Sequence, residues 1–153
     1  MQKREKLSAF DAAVNLISYR DRTSAELVKR LKEKEYSAPE IEYAMEKLTY
    51  YGYIDDRRYA DSYIRYRSSS KGNRRIAMEL GIKGVDRAIV SELLAEYDRD
   101  ESTDVLSILE SRYSNADFSD DKTRRRVYGY FARRGFTTAS IQKAFRKLIE
   151  RSI

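Results

Sequence analysis

The sequence predicts an all-α fold, an elongated curved array of three tandem three-helix repeats. Three observations predict it. The apolar set Leu27, Leu31, Tyr36, Ile41, Met45 and Leu48 recurs without a gap at Ile76, Leu80, Val85, Val90, Leu94 and Tyr97, and again at Val127, Phe131, Phe136, Ile141, Phe145 and Leu148. The apolar positions within each set are spaced as on helix faces, not as on strands. A unit of about 50 residues is marginal alone, so the 153 residues are expected to share apolar surface between neighbouring units. An array of this kind suits a long partner better than a small molecule held in a deep pocket.

The repeats are expected at 1–54, 55–98 and 99–153. In the first, Leu7, Phe10, Val14 and Ile17 fall at helical spacing and define a helix that ends before Tyr19-Arg20-Asp21-Arg22. Thr23 followed by Glu26 has capping-box spacing and starts a second helix with Leu27 and Leu31 inside. Ser37-Ala38-Pro39-Glu40 starts the third in the same way, with Pro39 in the first turn, where a missing N–H does no harm. Between the second and third helices, Gly84 (with Leu80 and Val85) and Gly135 (with Phe131 and Phe136) occupy the positions of a Schellman cap. Glu35 stands at the matching place in the first repeat, so that turn is expected to differ or to cost about 1 kcal/mol. Asp55 or Asp56 is expected to cap the next helix, along which Tyr59, Tyr63 and Tyr66 lie, and the third repeat is expected to begin near Asp100.

Composition excludes several chemistries. With no cysteine and no histidine, the chain has no disulfide framework, no thiol nucleophile, no Ser-His-Asp triad and neither of the side chains on which nearly every zinc site depends. No cofactor, metal or catalytic residue is therefore expected. The Asp55-Asp56 and Asp120-Asp121 pairs precede predicted helices and are read as N-caps. Gly72 and Gly84 lack the spacing of a phosphate-binding loop. No apolar run approaches the roughly 18 residues needed to span a bilayer, and Met1-Gln2-Lys3-Arg4-Glu5-Lys6 is not followed by a signal-peptide core, so a cytoplasmic location without membrane contact is expected.

Some residues carry a family resemblance. Leu48, then Gly52-Tyr53-Ile54-Asp55-Asp56, then Tyr59-Ala60 resembles the signature of the RecX family of bacterial recombination regulators. Lys71-Gly72-Asn73-Arg74-Arg75-Ile76, with Glu79-Leu80 and Lys83-Gly84-Val85, is similar to a second block of that family. Arg133-Arg134-Gly135-Phe136 is similar to a third. Ser24, Glu26, Leu27 and Leu31 match the first block, from which Glu35 departs. The resemblance implies a non-enzymatic regulator that binds the RecA recombinase filament on single-stranded DNA and inhibits its ATPase, strand-exchange and coprotease activities, so modulating recombination, repair and the SOS response. It implies the RecA filament and single-stranded DNA as partners, with double-stranded DNA as a further candidate.

The charges locate a candidate binding surface independently. Net charge is +1 over 1–54, +1 over 55–98 and +4 over 99–153. From Lys122 to Arg151 there are ten basic residues and one acid, Glu150. Such a concentration attracts phosphate backbones or acidic protein surfaces. The candidate contacts are Lys122, Arg124, Arg125, Arg126, Arg133 and Arg134, with Tyr128 beside them. A second basic concentration supplies Arg65, Arg67, Lys71, Arg74, Arg75 and Lys83. Either Tyr128 or Tyr130 is expected to be exposed for stacking. The competing reading is a helix-turn-helix-like DNA binder acting without RecA, with Thr138, Gln142 and Lys143 on its reading helix. It favours a dimer, but no dimerisation seam is visible and a monomer is expected.

Overall fold

The computed structural model describes residues 5–151, and within them there are nine helices and no strand. They are α1 (Ala9–Tyr19), α2 (Ser24–Glu33), α3 (Ala38–Tyr50), α4 (Asp56–Arg67), α5 (Asn73–Ile82), α6 (Arg87–Tyr97), α7 (Glu101–Arg112), α8 (Asp121–Arg133) and α9 (Thr138–Arg151). Residues 1–4, which include part of the charged start noted above, and residues 152–153 lie outside the described residues. No described helix is long and apolar enough to cross a membrane. The fold is an all-α helical repeat.

Capping explains the boundaries. Ser8 accepts from the Asp11 N–H at 3.1 Å and starts α1 at Ala9, past the first apolar position that the spacing suggests, which leaves Leu7 outside the core at 49% exposure. Thr23 and Glu26 form the expected reciprocal box at the start of α2. Ser37 caps α3 with Pro39 in its first turn. Asp55 rather than Asp56 takes the capping role before α4, accepting from the Arg58 N–H at 3.1 Å, while Asp100 and Asp120 cap α7 and α8.

The turns after α2, α5 and α8 share one shape. Val85 N–H donates to Leu80 O at 3.0 Å and Phe136 N–H to Phe131 O at 3.2 Å, with Gly84 and Gly135 left-handed at φ 86° and 87°. Of the two expected outcomes the first repeat shows the second, the same turn with a residue other than glycine in it: Tyr36 N–H donates to Leu31 O at 3.2 Å, and Glu35 itself adopts φ 67°. The structure also supplies the reason glycine is dispensable only there. A Cβ on Gly84 would lie 2.3 Å from the Ala25 Cβ, and one on Gly135 2.3 Å from the Arg75 backbone nitrogen, whereas Glu35 faces solvent. Glycine at 84 and 135 thus serves both the left-handed backbone and a close approach, while Glu35 carries only the conformational strain.

The chain divides into two compact units, Met1–Asp61 with Leu80–Val90, and Ser62–Glu79 with Ser91–Ile153. The middle three-helix segment contributes to both. One core gathers Ala13, Leu16, Leu27, Leu31, Ile41, Ala44 and Leu48; another gathers Val105, Leu109, Val127, Phe131, Phe136, Ile141 and Phe145. Each unit contains the same kind of junction. In the first, the Thr23 hydroxyl donates to Lys83 O at 2.6 Å and the Ser24 N–H to the Asp56 carboxylate at 2.8 Å. In the second, the Gly72 N–H donates to Arg134 O at 2.8 Å and the Asn73 N–H to the Glu101 carboxylate at 2.7 Å. Thr23 and Gly72 are equivalent repeat positions, as are Lys83 and Arg134. The start of one repeat's middle helix therefore docks on the glycine turn of the next, and an acid opening the next repeat's first helix caps it.

Candidate functional site

Helical geometry sorts the basic residues of α8. Val127 and Phe131 are fully buried, which fixes the inner face. At 3.6 residues per turn, Lys122, Arg125, Arg126, Gly129 and Arg133 share the side opposite that face. All four cations of this row are exposed. Arg124 is separated from its sequence neighbours: it lies with Tyr128 on one flank and pairs with Asp121. The arginine run is therefore two surfaces rather than one.

Across a shallow groove from the C-terminal end of this row stand Arg74, Arg75 and Met78 of α5, with Ala132, Arg133 and Gly135 on the other wall. Close backbone contact sets the spacing. A Cβ on Gly72 would fall 2.2 Å from Gly135 O, so both walls are joined glycine to glycine. Glu101, 7% exposed, fixes the same joint, because its two carboxylate oxygens accept from Asn73 N–H at 2.7 Å and Thr137 N–H at 3.3 Å. One buried acid thus satisfies the starts of α5 and α9 together. Arg99 completes the support: its guanidinium donates to Ser68 O and Lys71 O, each at 2.6 Å, and lies 3.7 Å from Glu101 and 3.8 Å from Asp104.

Several candidate cations have partners within the fold. Lys71 donates to Glu79 at 2.5 Å and Arg75 to the same carboxylate at 3.3 Å, while the Tyr63 hydroxyl reaches its other oxygen at 2.6 Å. Burial raises the Glu79 pKa, but these donors outweigh it and hold the carboxyl at about 2. Hydrogen bonds from Lys143 and Ser102 hold Asp100 well below the usual carboxylate range, and burial raises Asp104 despite nearby Arg99. Arg65 donates to the Tyr97 hydroxyl at 2.9 Å, and Arg67 lies 5.5 Å from the Tyr63 and Tyr66 rings. Arg134 is half-buried, 4.5 Å above the Tyr130 ring, and Lys83 presents its backbone carbonyl to Thr23. Neither Tyr128 nor Tyr130 is the exposed ring expected: the first stacks on Phe145 at 4.9 Å and the second meets Tyr113 edge-on at 5.7 Å.

Arg99 and the second acid of each tandem pair escaped the sequence reading. Asp55-Asp56 and Asp100-Glu101 both place a cap for their own helix first and a cap for the preceding repeat second. The recurrence of an acid pair at the start of successive repeats is the signal that was present. Thr138, Gln142 and Lys143 of α9 are exposed, and Lys143 donates to Asp100 at 2.7 Å.

Residues 9–48 match the RecX first three-helix domain and residues 55–94 match the RecX second three-helix domain. The chain belongs to the RecX family. It is 31% identical to the regulatory protein RecX of Chlorobium phaeobacteroides over 88% of this chain and 89% of that one. With the regulatory protein RecX of Trichlorobacter lovleyi the identity is 34% over 89% and 92%. The crystal structure of RecX from Lactobacillus salivarius superposes with a TM-score of 0.79 at 26% identity, covering 92% of this chain and 94% of that one. The chain is thus a RecX-family regulatory protein.

Proposed function

We propose that this RecX-family chain binds RecA filaments assembled on DNA and inhibits their ATPase, strand-exchange and coprotease activities, acting in the cytoplasm as a monomer and by binding rather than catalysis. The observation that carries the reading is the exposed row Lys122, Arg125, Arg126 and Arg133, continued across the groove by Arg74 and Arg75. The row stands on a helix whose other side is locked in the core, so its backbone positions are fixed at helical spacing and only the side chains remain to be ordered on binding. Lys71 and Arg134 support that surface through their fold contacts, and Arg65 and Arg67 extend the basic character of α4, while Lys83 belongs to the other compact unit and adds its charge there. Phosphate oxygens of the filament's strand and acidic side chains of its protomers are the groups such a surface attracts.

The test is DNA-dependent ATP hydrolysis by RecA filaments, titrated with wild type and with Arg124, Arg125 and Arg126 all changed to Glu. Helical content stays unchanged, because all three side chains are exposed, and inhibition is lost. Wild-type inhibition by the triple variant at equal dose sinks the assignment. Absence of inhibition by the wild-type chain at any dose restores the helix-turn-helix reading.

A further inference from the structure

Arg124, split from its neighbours by helical geometry, opens onto a hollow that the basic row does not share. Two helical rows form its walls. Arg124 and Tyr128 stand one turn apart on α8, and Gln142, Arg146 and Ile149 stand at i, i+4 and i+7 on α9. Phe145 and Phe118 line the hollow as well, with Phe118 set edge-on to Phe145 at 5.1 Å and Tyr128 stacked on Phe145 with an interplanar angle of 15°. The hollow encloses about 350 Å³. A second opening lined by Asp121, Arg124, Arg125 and Tyr128 shares two of its residues, so Tyr128 and Arg124 border both.

We infer that this hollow takes one nucleotide of a single strand, its base against the aromatic wall and its phosphate between Arg124 and Arg146. This rests on the reading above that the chain engages single-stranded DNA, and it assigns that engagement a base-dependent component. Aromatic faces beside arginines are the combination that holds unpaired bases without sequence preference, since every base presents a π-face and every nucleotide a phosphate. Gln142 adds a planar amide able to meet a base edge. The one acid at the rim, Asp121, pairs with Arg124, but the two side chains are 70% and 48% exposed, so the pair is solvent-screened and exchanges readily for a phosphate. A duplex does not fit, because its bases are stacked and paired. The division of labour follows: Lys122, Arg125, Arg126 and Arg133 meet backbone charge, and the hollow detects an unstacked base.

The experiment measures binding of a fluorescently labelled oligothymidine and of an abasic strand of the same length, without recombinase, over a salt series. Wild type prefers the strand with bases by about tenfold. Tyr128→Leu keeps an apolar packing partner for Phe145 but removes the π-face, and it loses the preference while the salt slope stays that of wild type. Arg146→Ala, at an exposed position, lowers affinity for both strands and reduces the slope by about one phosphate contact. Arg125→Glu with Arg126→Glu lowers the slope further but leaves the base preference, so failure of the basic row and failure of the hollow read out separately. Equal binding of both strands by wild type overturns the inference. So does Tyr128→Leu that keeps the base preference yet weakens filament inhibition, which identifies the hollow as a protein-docking site.

Discussion

Alanine at Gly52, Gly84 and Gly135 separates backbone strain from close packing. All three glycines are left-handed, at φ 70°, 86° and 87°, so each substitution carries a conformational cost of about 1 kcal/mol. At Gly52 nothing lies within 4 Å of the added Cβ, and the cost ends there. At Gly84 the Cβ meets the Ala25 Cβ at 2.3 Å, and at Gly135 it meets the Arg75 nitrogen at 2.3 Å, its Cβ at 2.4 Å and its Cα at 2.8 Å. Such overlap adds about 1 to 3 kcal/mol, and displacing the Gly135 turn also stretches the Gly72–Arg134 hydrogen bond, worth about 1 kcal/mol. Urea unfolding is therefore expected to rank the losses as about 1 kcal/mol for Gly52→Ala, about 2 to 4 for Gly84→Ala and about 3 to 5 for Gly135→Ala. A double-mutant cycle sharpens the contrast. Ala25→Gly removes the one atom in severe conflict and recovers part of the Gly84→Ala loss, whereas Arg75→Gly recovers little at Gly135, where backbone atoms are in the way. Equal losses at all three sites would refute the close-approach argument, leaving glycine there for φ alone.

Two further outcomes follow from the acids Glu101, which is buried, and Glu79, which is half-buried. Glu101→Ala leaves the Asn73 and Thr137 N–H groups without their acceptor and is expected to cost about 2 to 4 kcal/mol in urea unfolding, with strand binding by the basic row weakened in parallel as the groove walls loosen. Glu79, held at about 2 instead of 4.5, is depressed on folding, so its contribution is complete above pH 4.5 and is lost as pH falls through the folded value. Its side chain is 13% exposed, so the shift is read at close to full weight: stability drops by about 2 kcal/mol between pH 6 and pH 3 from this group, and Glu79→Gln removes that part of the profile. An unchanged profile in the variant would show that the Lys71, Tyr63 and Arg75 contacts do not hold the carboxylate.

Periodicity carried the helical content, because apolar side chains at three- and four-residue intervals must be buried whichever neighbour covers them. Capping chemistry carried the starts of α2, α3 and α8 for the same reason: Thr23, Ser37 and Asp120 act on N–H groups three residues away, whereas the start of α7 near Asp100 came from the repeat spacing. The family signature was also local, as Leu48 to Ala60 is a single continuous stretch. What a linear reading missed is what spans repeats. Ser24 and Asp56 are 32 residues apart, and Thr137 and Glu101 are 36 apart, so nothing near either acid announces its donor. The basic surface was legible as composition but not as geometry. Charge counting put Arg124, Arg125 and Arg126 together, and the burial of Val127 and Phe131 turned the first away from the other two, toward the hollow of Tyr128, Phe145 and Arg146. The tolerance of Glu35 where its counterparts are Gly84 and Gly135 likewise had no cause within its own turn, whose backbone is the same in all three. It was decided by whether another repeat packs against it, and only the tertiary contacts carry that information.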